Sequence, residues 1–114
     1  MTTIERKEIV SMIRQGDVIL VPVETVPDLP IIPRDRGRIV LAYGEVTGHS
    51  HAIVEADAEL VGATADAVDR YLRLRSSAVL VHEEHAPVTL PPGDYRVVIQ
   101  EEWSDALEPR RVVD

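Results

Sequence analysis

The sequence predicts a small, single-domain protein that is mainly β, folded as a β-barrel or a sandwich with a short N-terminal helix. Its 114 residues are the usual size of one domain with one core. Because there is no phenylalanine and one tryptophan, aliphatic side chains, valine above all, must fill that core, and a valine-rich core favours strands. Short apolar runs also recur at even spacing between turn residues, which is typical of barrels and sandwiches.

Residues 1–15 predict the helix. Thr2 and Glu5 have the spacing of a capping box. Three apolar residues then recur at helical intervals, namely Ile9, Met12 and Ile13. This segment is charged throughout and lacks the apolar run of a signal peptide, and no stretch of the chain approaches the length of a membrane span. We therefore expect a cytoplasmic protein that does not enter a membrane.

The first strand is predicted over residues 17–23, a β-branched run that contains Pro22. Proline cannot donate a hydrogen bond to a neighbouring strand, so we expect this strand to be peripheral or to end there. Three prolines then forbid regular structure between residues 24 and 37, namely Pro27, Pro30 and Pro33. They predict an ordered extended loop, which could cover a pocket.

The remaining strands follow from apolar runs and alternating patterns. They are predicted at residues 38–46, 49–55, 71–75, 78–83 and 95–100. Residues 62–69 are small and polar and favour a loop, although residues 63–67 could make one helical turn. Turns are expected at Ser76–Ser77 and at Pro91-Pro92-Gly93. The tail, residues 104–114, is interpreted as a packed irregular arm of the single domain 1–114, or as a contact to another subunit.

Charge and cysteine content restrict the function. A net charge of −8 opposes binding to nucleic-acid phosphates, so a nucleic-acid partner is not expected. Two local basic spots, residues 34–38 and residues 70–75, fit solvated strand faces. The chain has no cysteine, which excludes disulfides, thiolate zinc sites and cysteine nucleophiles. Any metal ion must bind through histidine and carboxylate side chains.

The chain has four histidines, and they occur in two pairs: His49 and His51, and His82 and His85. Side chains alternate between the faces of a strand, so His49, His51 and Glu55 are predicted to share one face. Two imidazoles two residues apart can converge on one metal ion. The first pair therefore predicts half of a metal site, with Glu55 as an accompanying carboxylate.

The second pair supplies the remaining ligands. Positions three apart on a strand point to opposite faces, so His82 is the favoured ligand, and His85 joins it if the chain turns near Glu84. The spacing excludes the zincin motif, in which two histidines lie four residues apart on a helix. Other candidate carboxylates are Glu45, Glu83 and Glu84.

The competing interpretation is that each histidine is an ordinary polar residue at a loop end or in the core. It accounts for a single histidine better than for four. Imidazoles that lie close together repel one another when protonated and gain little when neutral. We therefore predict a divalent metal ion, Zn, Fe, Mn or Ni, held by the four histidines with Glu55.

The segment from His49 to Glu55, with Gly62 after it, resembles the first motif of the cupin superfamily: His-x-His, then a glutamate, then a glycine. The resemblance implies a double-stranded β-helix and metal-ligand roles for His49, His51 and Glu55. Pro91-Pro92-Gly93 is similar to the turn of the second cupin motif, but Arg96 stands where cupins have a third histidine. Either His82 or His85 replaces that ligand, or the motif has arisen in a different β fold.

Three functions remain open at this point. The first is a small metalloenzyme with positions open for water and a small-molecule substrate. The second is a non-catalytic accessory module in which all four histidines close a structural zinc site. The third is a metal-free binding module. Both metal hypotheses predict that metal affinity falls as the pH drops through about 6.5, where free imidazole protonates. A small β domain gains stability when a partner covers its strand edges, and this gain is the only ground for expecting a homodimer.

Overall fold

The computed structural model describes residues 12–44, 48–100, 102–104 and 108–110, the last two segments by their backbone alone. All the regular structure in these residues is β. The eleven strands of the described residues are β1 Ile13–Gln15, β2 Val18–Pro22, β3 Ile39–Tyr43, β4 Ser50–Ile53, β5 Ala58–Gly62, β6 Arg70–Leu74, β7 Ala78–Leu80, β8 Val88–Leu90, β9 Gly93–Ile99, β10 Glu102–Ser104 and β11 Glu108–Arg110. None of these residues forms a helix with the length and apolar character that a membrane crossing requires.

The largest sheet has five antiparallel strands in the order β1-β2-β9-β6-β5. The other strands form three antiparallel pairs, β3 with β4, β7 with β8, and β10 with β11. The described sheets are not closed into a barrel, so that part of the prediction is wrong, whereas the mainly β class is confirmed.

One core cluster joins the five-stranded sheet to the two smaller pairs β3–β4 and β7–β8. Val18, Leu20, Leu72 and Val97 are among the members from the large sheet. The smaller pairs contribute Ile39, Leu41, Ile53, Leu80 and Leu90. Burial of these side chains removes apolar surface from water, which favours folding by about 1.5–3 kcal/mol for each large side chain. Strand β4, which carries His51, and strand β7, which precedes His82 and His85, are thus anchored by their apolar neighbours.

The N-terminal prediction is wrong where it can be compared with the structure. Residues 13–15 form the edge strand β1, in which Ile13 pairs with Leu20 and Gln15 with Val18. Residues 1–11 of the predicted helix lie outside the described residues. Strand β2 is not peripheral, because it pairs with both β1 and β9, although Pro22 does end it.

The proline-rich loop borders the other edge of the large sheet. The Ile32 amide donates a hydrogen bond to the Leu60 carbonyl at 2.8 Å, and the Gly62 amide donates to the Pro30 carbonyl at 2.9 Å. These bonds pair part of the free edge of β5, a common protection against edge-to-edge association. At the C-terminal end, the backbone of β10 and β11 forms an antiparallel pair, where an irregular arm was predicted; residues 105–107 and 111–114 lie outside the described residues.

Candidate metal centre

An isolated β-bridge brings the two histidine pairs together. Ala52 on β4 and Val81 after β7 exchange both backbone hydrogen bonds, at 3.0 and 2.9 Å. In an antiparallel register the next residues, His51 and His82, then lie opposite each other, in the type of pair whose side chains approach most closely. Their ring centroids are 4.3 Å apart. The close approach of these imidazoles therefore follows from backbone pairing.

Three of the histidines form one group. One ring nitrogen from each of His51, His82 and His85 lies within 4.8 Å of the others. His51 is 1 % exposed and His82 is 9 % exposed, while His85 is half-buried. His85 reaches the group because residues 83–85 bend away from the strand direction, which removes the strict alternation of faces.

Gln15 sets the orientation of His51. Its side-chain amide nitrogen donates hydrogen bonds to the carbonyls of Leu80 at 2.9 Å and Ala86 at 3.0 Å. These two acceptors identify the nitrogen end of the amide, so Oε1 is the atom that lies 2.8 Å from Nδ1 of His51. Since Oε1 can only accept, Nδ1 carries the proton and the lone pair of a neutral His51 is on Nε2. This is the tautomer that a metal-binding Nε2 requires.

The turn between β1 and β2 forms one wall of the group. Gly16 has a φ of +59°, and a Cβ atom there would lie 2.7 Å from Nε2 of His85 and 3.1 Å from Cε1 of His51. Glycine is therefore favoured at this position for two reasons: it adopts the positive φ without strain, and it leaves room for the two imidazole rings. The next residue, Asp17, places Oδ1 at 3.4 Å from Nε2 of His51.

His82 has the opposite tautomer to His51. The Glu84 amide donates a hydrogen bond to Nδ1 of His82 at 3.0 Å, so a neutral ring carries its proton on Nε2. That Nε2 is buried and has no hydrogen-bond partner in the part of the chain that the structure describes. If Nδ1 binds a metal ion, it can no longer accept from the Glu84 amide. If Nε2 binds the ion, the proton of the neutral ring moves to Nδ1, which then cannot accept either. Metal binding through either nitrogen therefore breaks the hydrogen bond from Glu84.

A second, more exposed group shares His82 with the first. It consists of His49, His82 and Glu83, again with one potential ligand atom each within 4.8 Å of the others. Glu83 accepts a hydrogen bond from the Ser50 amide at 3.0 Å, and this bond is the main cause that lowers the pKa of its carboxyl. Glu84 lies on the same side, with Oε2 at 3.7 Å from Nδ1 of His49.

The other predicted site residues lie elsewhere. Glu55 follows the end of β4, and its Oε2 accepts a hydrogen bond from the Val79 amide at 3.1 Å; it belongs to neither group. Glu45 lies outside the described residues. Arg96, which occupies the third-histidine position of the cupin comparison, lies on β9, where its Nε is 3.7 Å from Asp69.

Sequence reasoning missed Gln15, Gly16 and Asp17. The helical spacing of the preceding apolar residues concealed a strand that ends in a turn. The local signal that could have revealed this turn is Gln-Gly-Asp between two apolar runs, since glycine and aspartate favour tight turns between paired strands.

Comparison with known proteins gives one match. The family described as a domain of unknown function, DUF8820, matches residues 14–100. No curated protein and no solved structure matches the chain. The matched span covers most of the chain and includes all four histidines together with Gln15, Gly16 and Asp17. The chain therefore belongs to the DUF8820 family.

Proposed function

We propose that this domain is a small metalloenzyme that binds one divalent metal ion through His51, His82 and His85 and acts on a small molecule at an open coordination position. The observation that carries the proposal is the convergence of three ring nitrogens within 4.8 Å, with two of the rings buried. Three imidazoles that converge from different segments, one of them held by a neighbouring amide, are the usual construction of a histidine metal site.

The electrostatics around His51 favour a cation at the same place. With Nδ1 protonated toward Gln15, the lone pair on Nε2 lies 3.4 Å from a carboxylate oxygen of Asp17. Two acceptors that face each other repel unless a proton or a metal ion lies near them. In the proposed site Asp17 adds negative charge beside the ion, and it is a candidate for an oxygen ligand on the His51 side.

An enzyme fits this arrangement better than a closed structural site. Structural zinc sites use four protein ligands, whereas catalytic sites keep three and leave a position for water or substrate. His49 is not part of the three-histidine group, and its ring centroid is 5.6 Å from that of His82. A metal ion held by three imidazoles would lower the pKa of bound water or polarise a substrate carbonyl.

The cupin resemblance enters the proposal in a restricted form. Its motif assigns His49, His51 and Glu55 as ligands, but the hydrogen bond to Val79 directs Glu55 elsewhere. The proposed ligand set keeps His51 and takes His82 and His85 from the segment after β7. Imidazole ligands suit zinc, iron and nickel sites alike, so the metal's identity decides between hydrolytic and redox chemistry.

The test is a metal titration of the purified, untagged protein after chelation and dialysis. We expect one equivalent of Zn²⁺ or Co²⁺ to bind to the wild type and to His49→Ala, with at least a 100-fold loss of affinity in His51→Ala and His82→Ala. His49→Ala is the matched control, because His49 directly precedes β4 and lies outside the three-histidine group. Equal affinity in all four proteins would contradict the proposal.

Folding and coordination need separate readouts. His85→Ala changes a half-buried ligand, so its fold is expected to survive when that of His51→Ala does not. In the wild type, the Glu84 amide resonance should shift on metal addition, because coordination by His82 breaks the hydrogen bond at Nδ1.

A Co²⁺ absorption spectrum that changes with added azide indicates an open position. A spectrum that azide leaves unchanged, together with lost affinity in His49→Ala, would indicate the closed four-histidine site instead.

A further inference from the structure

A second buried polar centre lies beside β3, at Arg70. This side chain begins on β6 and is 5 % exposed. Its two terminal nitrogens donate hydrogen bonds to the carbonyls of Leu41 at 2.9 Å and Ala65 at 3.1 Å. Its Nε is buried and has no hydrogen-bond partner among the described residues.

Arg70 forms no ion pair within the described residues. Buried guanidinium groups are normally paired with a carboxylate, because transfer of an isolated charge out of water is costly. Burial lowers the pKa of Arg70, and the nearby carboxylate of Asp66 raises it. The guanidinium stays charged, since arginine does not deprotonate in proteins. A positive charge is therefore held inside the domain with carbonyl dipoles as its close partners.

The charge borders a cavity of about 260 Å³. The apolar wall of this cavity comes from the core side of the fold, namely Ile32, Ile39, Leu41 and Leu60. Its polar lining includes Arg70, Asp66 and the pair Asp35 and Tyr43, in which the tyrosine hydroxyl donates to the carboxylate. The volume is just below the usual range of about 300–1,000 Å³ for ligand pockets, so its occupant must be small.

We propose that this cavity binds a small organic carboxylate, with its apolar body against Leu41 and Leu60 and its carboxylate at the guanidinium of Arg70. An apolar wall beside a buried cation favours an amphipathic anion, and the carboxylates of Asp35 and Asp66 in the same lining reduce that preference. The terminal nitrogens of arginine keep N–H groups beyond those bound to the two carbonyls, and a carboxylate can accept from them. The site is separate from the histidines and does not depend on the metal proposal.

The experiment compares hexanoate with hexanamide, which has the same shape and no charge. Binding is measured by calorimetry and ligand-observed NMR on the full chain after chelation and dialysis, so that no metal ion can hold the acid. We expect hexanoate to bind at least tenfold more tightly than hexanamide. Equal binding of the two, or binding of neither, would overturn the proposal.

Variants locate the bound acid. Arg70→Met should abolish hexanoate binding, whereas Arg73→Met, on the same strand but exposed, should leave it unchanged. Two further variants keep the test informative if Arg70→Met does not fold. Asp66→Asn removes the acidic charge beside the cavity and should strengthen binding two- to fivefold, and Ala42→Leu should weaken it at least tenfold by filling the cavity. If both variants bind hexanoate like the wild type, the acid lies elsewhere and the proposal fails.

Discussion

His51 and Arg70 are both buried polar side chains, yet the protein holds them in different ways. Gln15 binds one nitrogen of His51, whereas backbone carbonyls of Leu41 and Ala65 bind Arg70. Imidazole can be neutral and then offers a lone pair, while guanidinium is always charged and offers only donors. The first region is therefore suited to a cation and the second to an anion.

The two regions are also connected. Strand β3 supplies the Leu41 carbonyl to Arg70, and the next residue, Ala42, pairs with His51 on β4. The β3–β4 pair therefore contacts both centres. Its register shifts between Val40 and Ala42, as in a β-bulge. Variants that act on one centre alone test whether the centres are energetically independent.

The largest expected effect on stability is that of Arg70→Met. The substitution leaves the carbonyls of Leu41 and Ala65 without a charged donor, and hydrogen bonds to charged groups contribute about 1.5–3 kcal/mol each. Relief of the buried charge offsets part of this loss, so we expect the free energy of unfolding to fall by about 2–3 kcal/mol. Urea unfolding measures it.

Arg73→Met serves as the control on the same strand, since its side chain is exposed and a change below about 0.5 kcal/mol is expected there. A loss equal to that of Arg70→Met would mean that strand β6 tolerates neither substitution, and the buried hydrogen bonds would not be the cause. The zinc affinity of Arg70→Met should match that of the wild type if the two regions are independent.

Next in size is the effect of Gln15→Leu on the proposed metal centre. Leucine removes the acceptor that fixes the tautomer of His51, and loss of such a supporting residue typically costs about 10–100-fold in metal affinity. Titration with Zn²⁺ measures the change, and NMR of the His51 ring nitrogens reports the tautomer. Gln100→Leu is the matched control, because Gln100 is exposed. Unchanged affinity with an unchanged tautomer in Gln15→Leu would show that Gln15 does not position the ring.

The strands were predictable where their apolar pattern is long enough. Alternation and turn residues indicated β2, β3, β4, β6, β7 and β9, but not β5 or β8. Strand β8 has three residues and lies between Pro87 and Pro91, so its local pattern is too short to read. Strand β1 was hidden because its pairing with β2 overrides a helical spacing, which is an effect of tertiary contacts on local preference.

The candidate site was predictable in its residue types but not in its geometry. Composition indicated the four histidines, and alternation predicted His49 and His51 on one face, but β4 begins at Ser50 and the two histidines belong to different groups. The same alternation failed for Glu55, because β4 ends at Ile53 and the chain then turns toward Val79. The contacts of Gln15 with Leu80 and Ala86 join segments about 65–70 residues apart, and no local pattern encodes them.

Gly16→Ala should have a smaller effect, at the wall of the proposed metal centre. Alanine at a φ of +59° is strained by about 1 kcal/mol, and its Cβ would lie 2.7 Å from His85. Gly37→Ala is a close control, because Gly37 has a φ of +83° and no atom within 4 Å of an added Cβ. Both variants should lose stability to thermal unfolding, but only Gly16→Ala should also weaken zinc binding. Equal zinc affinity in the two variants would show that the His85 ring moves aside without consequence.

The smallest expected effect concerns Tyr95, a buried polar group outside both centres. Its hydroxyl donates a hydrogen bond to the Pro91 carbonyl at 2.7 Å, so Tyr95→Phe should lower the free energy of unfolding by about 1 kcal/mol at neutral pH. Tyr71→Phe is the control, since its hydroxyl lies 3.4 Å from Asp69 and should change stability less.

The pH dependence of the same variant adds a second test. Burial raises the pKa of Tyr95 above its usual 10.0, so the folded state keeps the phenol neutral where the unfolded state would ionise it. The stability linked to this group is fully present below pH 10 and is lost as the pH rises through the raised pKa. Urea unfolding of wild type and Tyr95→Phe at pH 7 and above pH 10 should therefore show a smaller alkaline loss in the variant. Identical alkaline losses would mean that ionisation of Tyr95 is not coupled to folding.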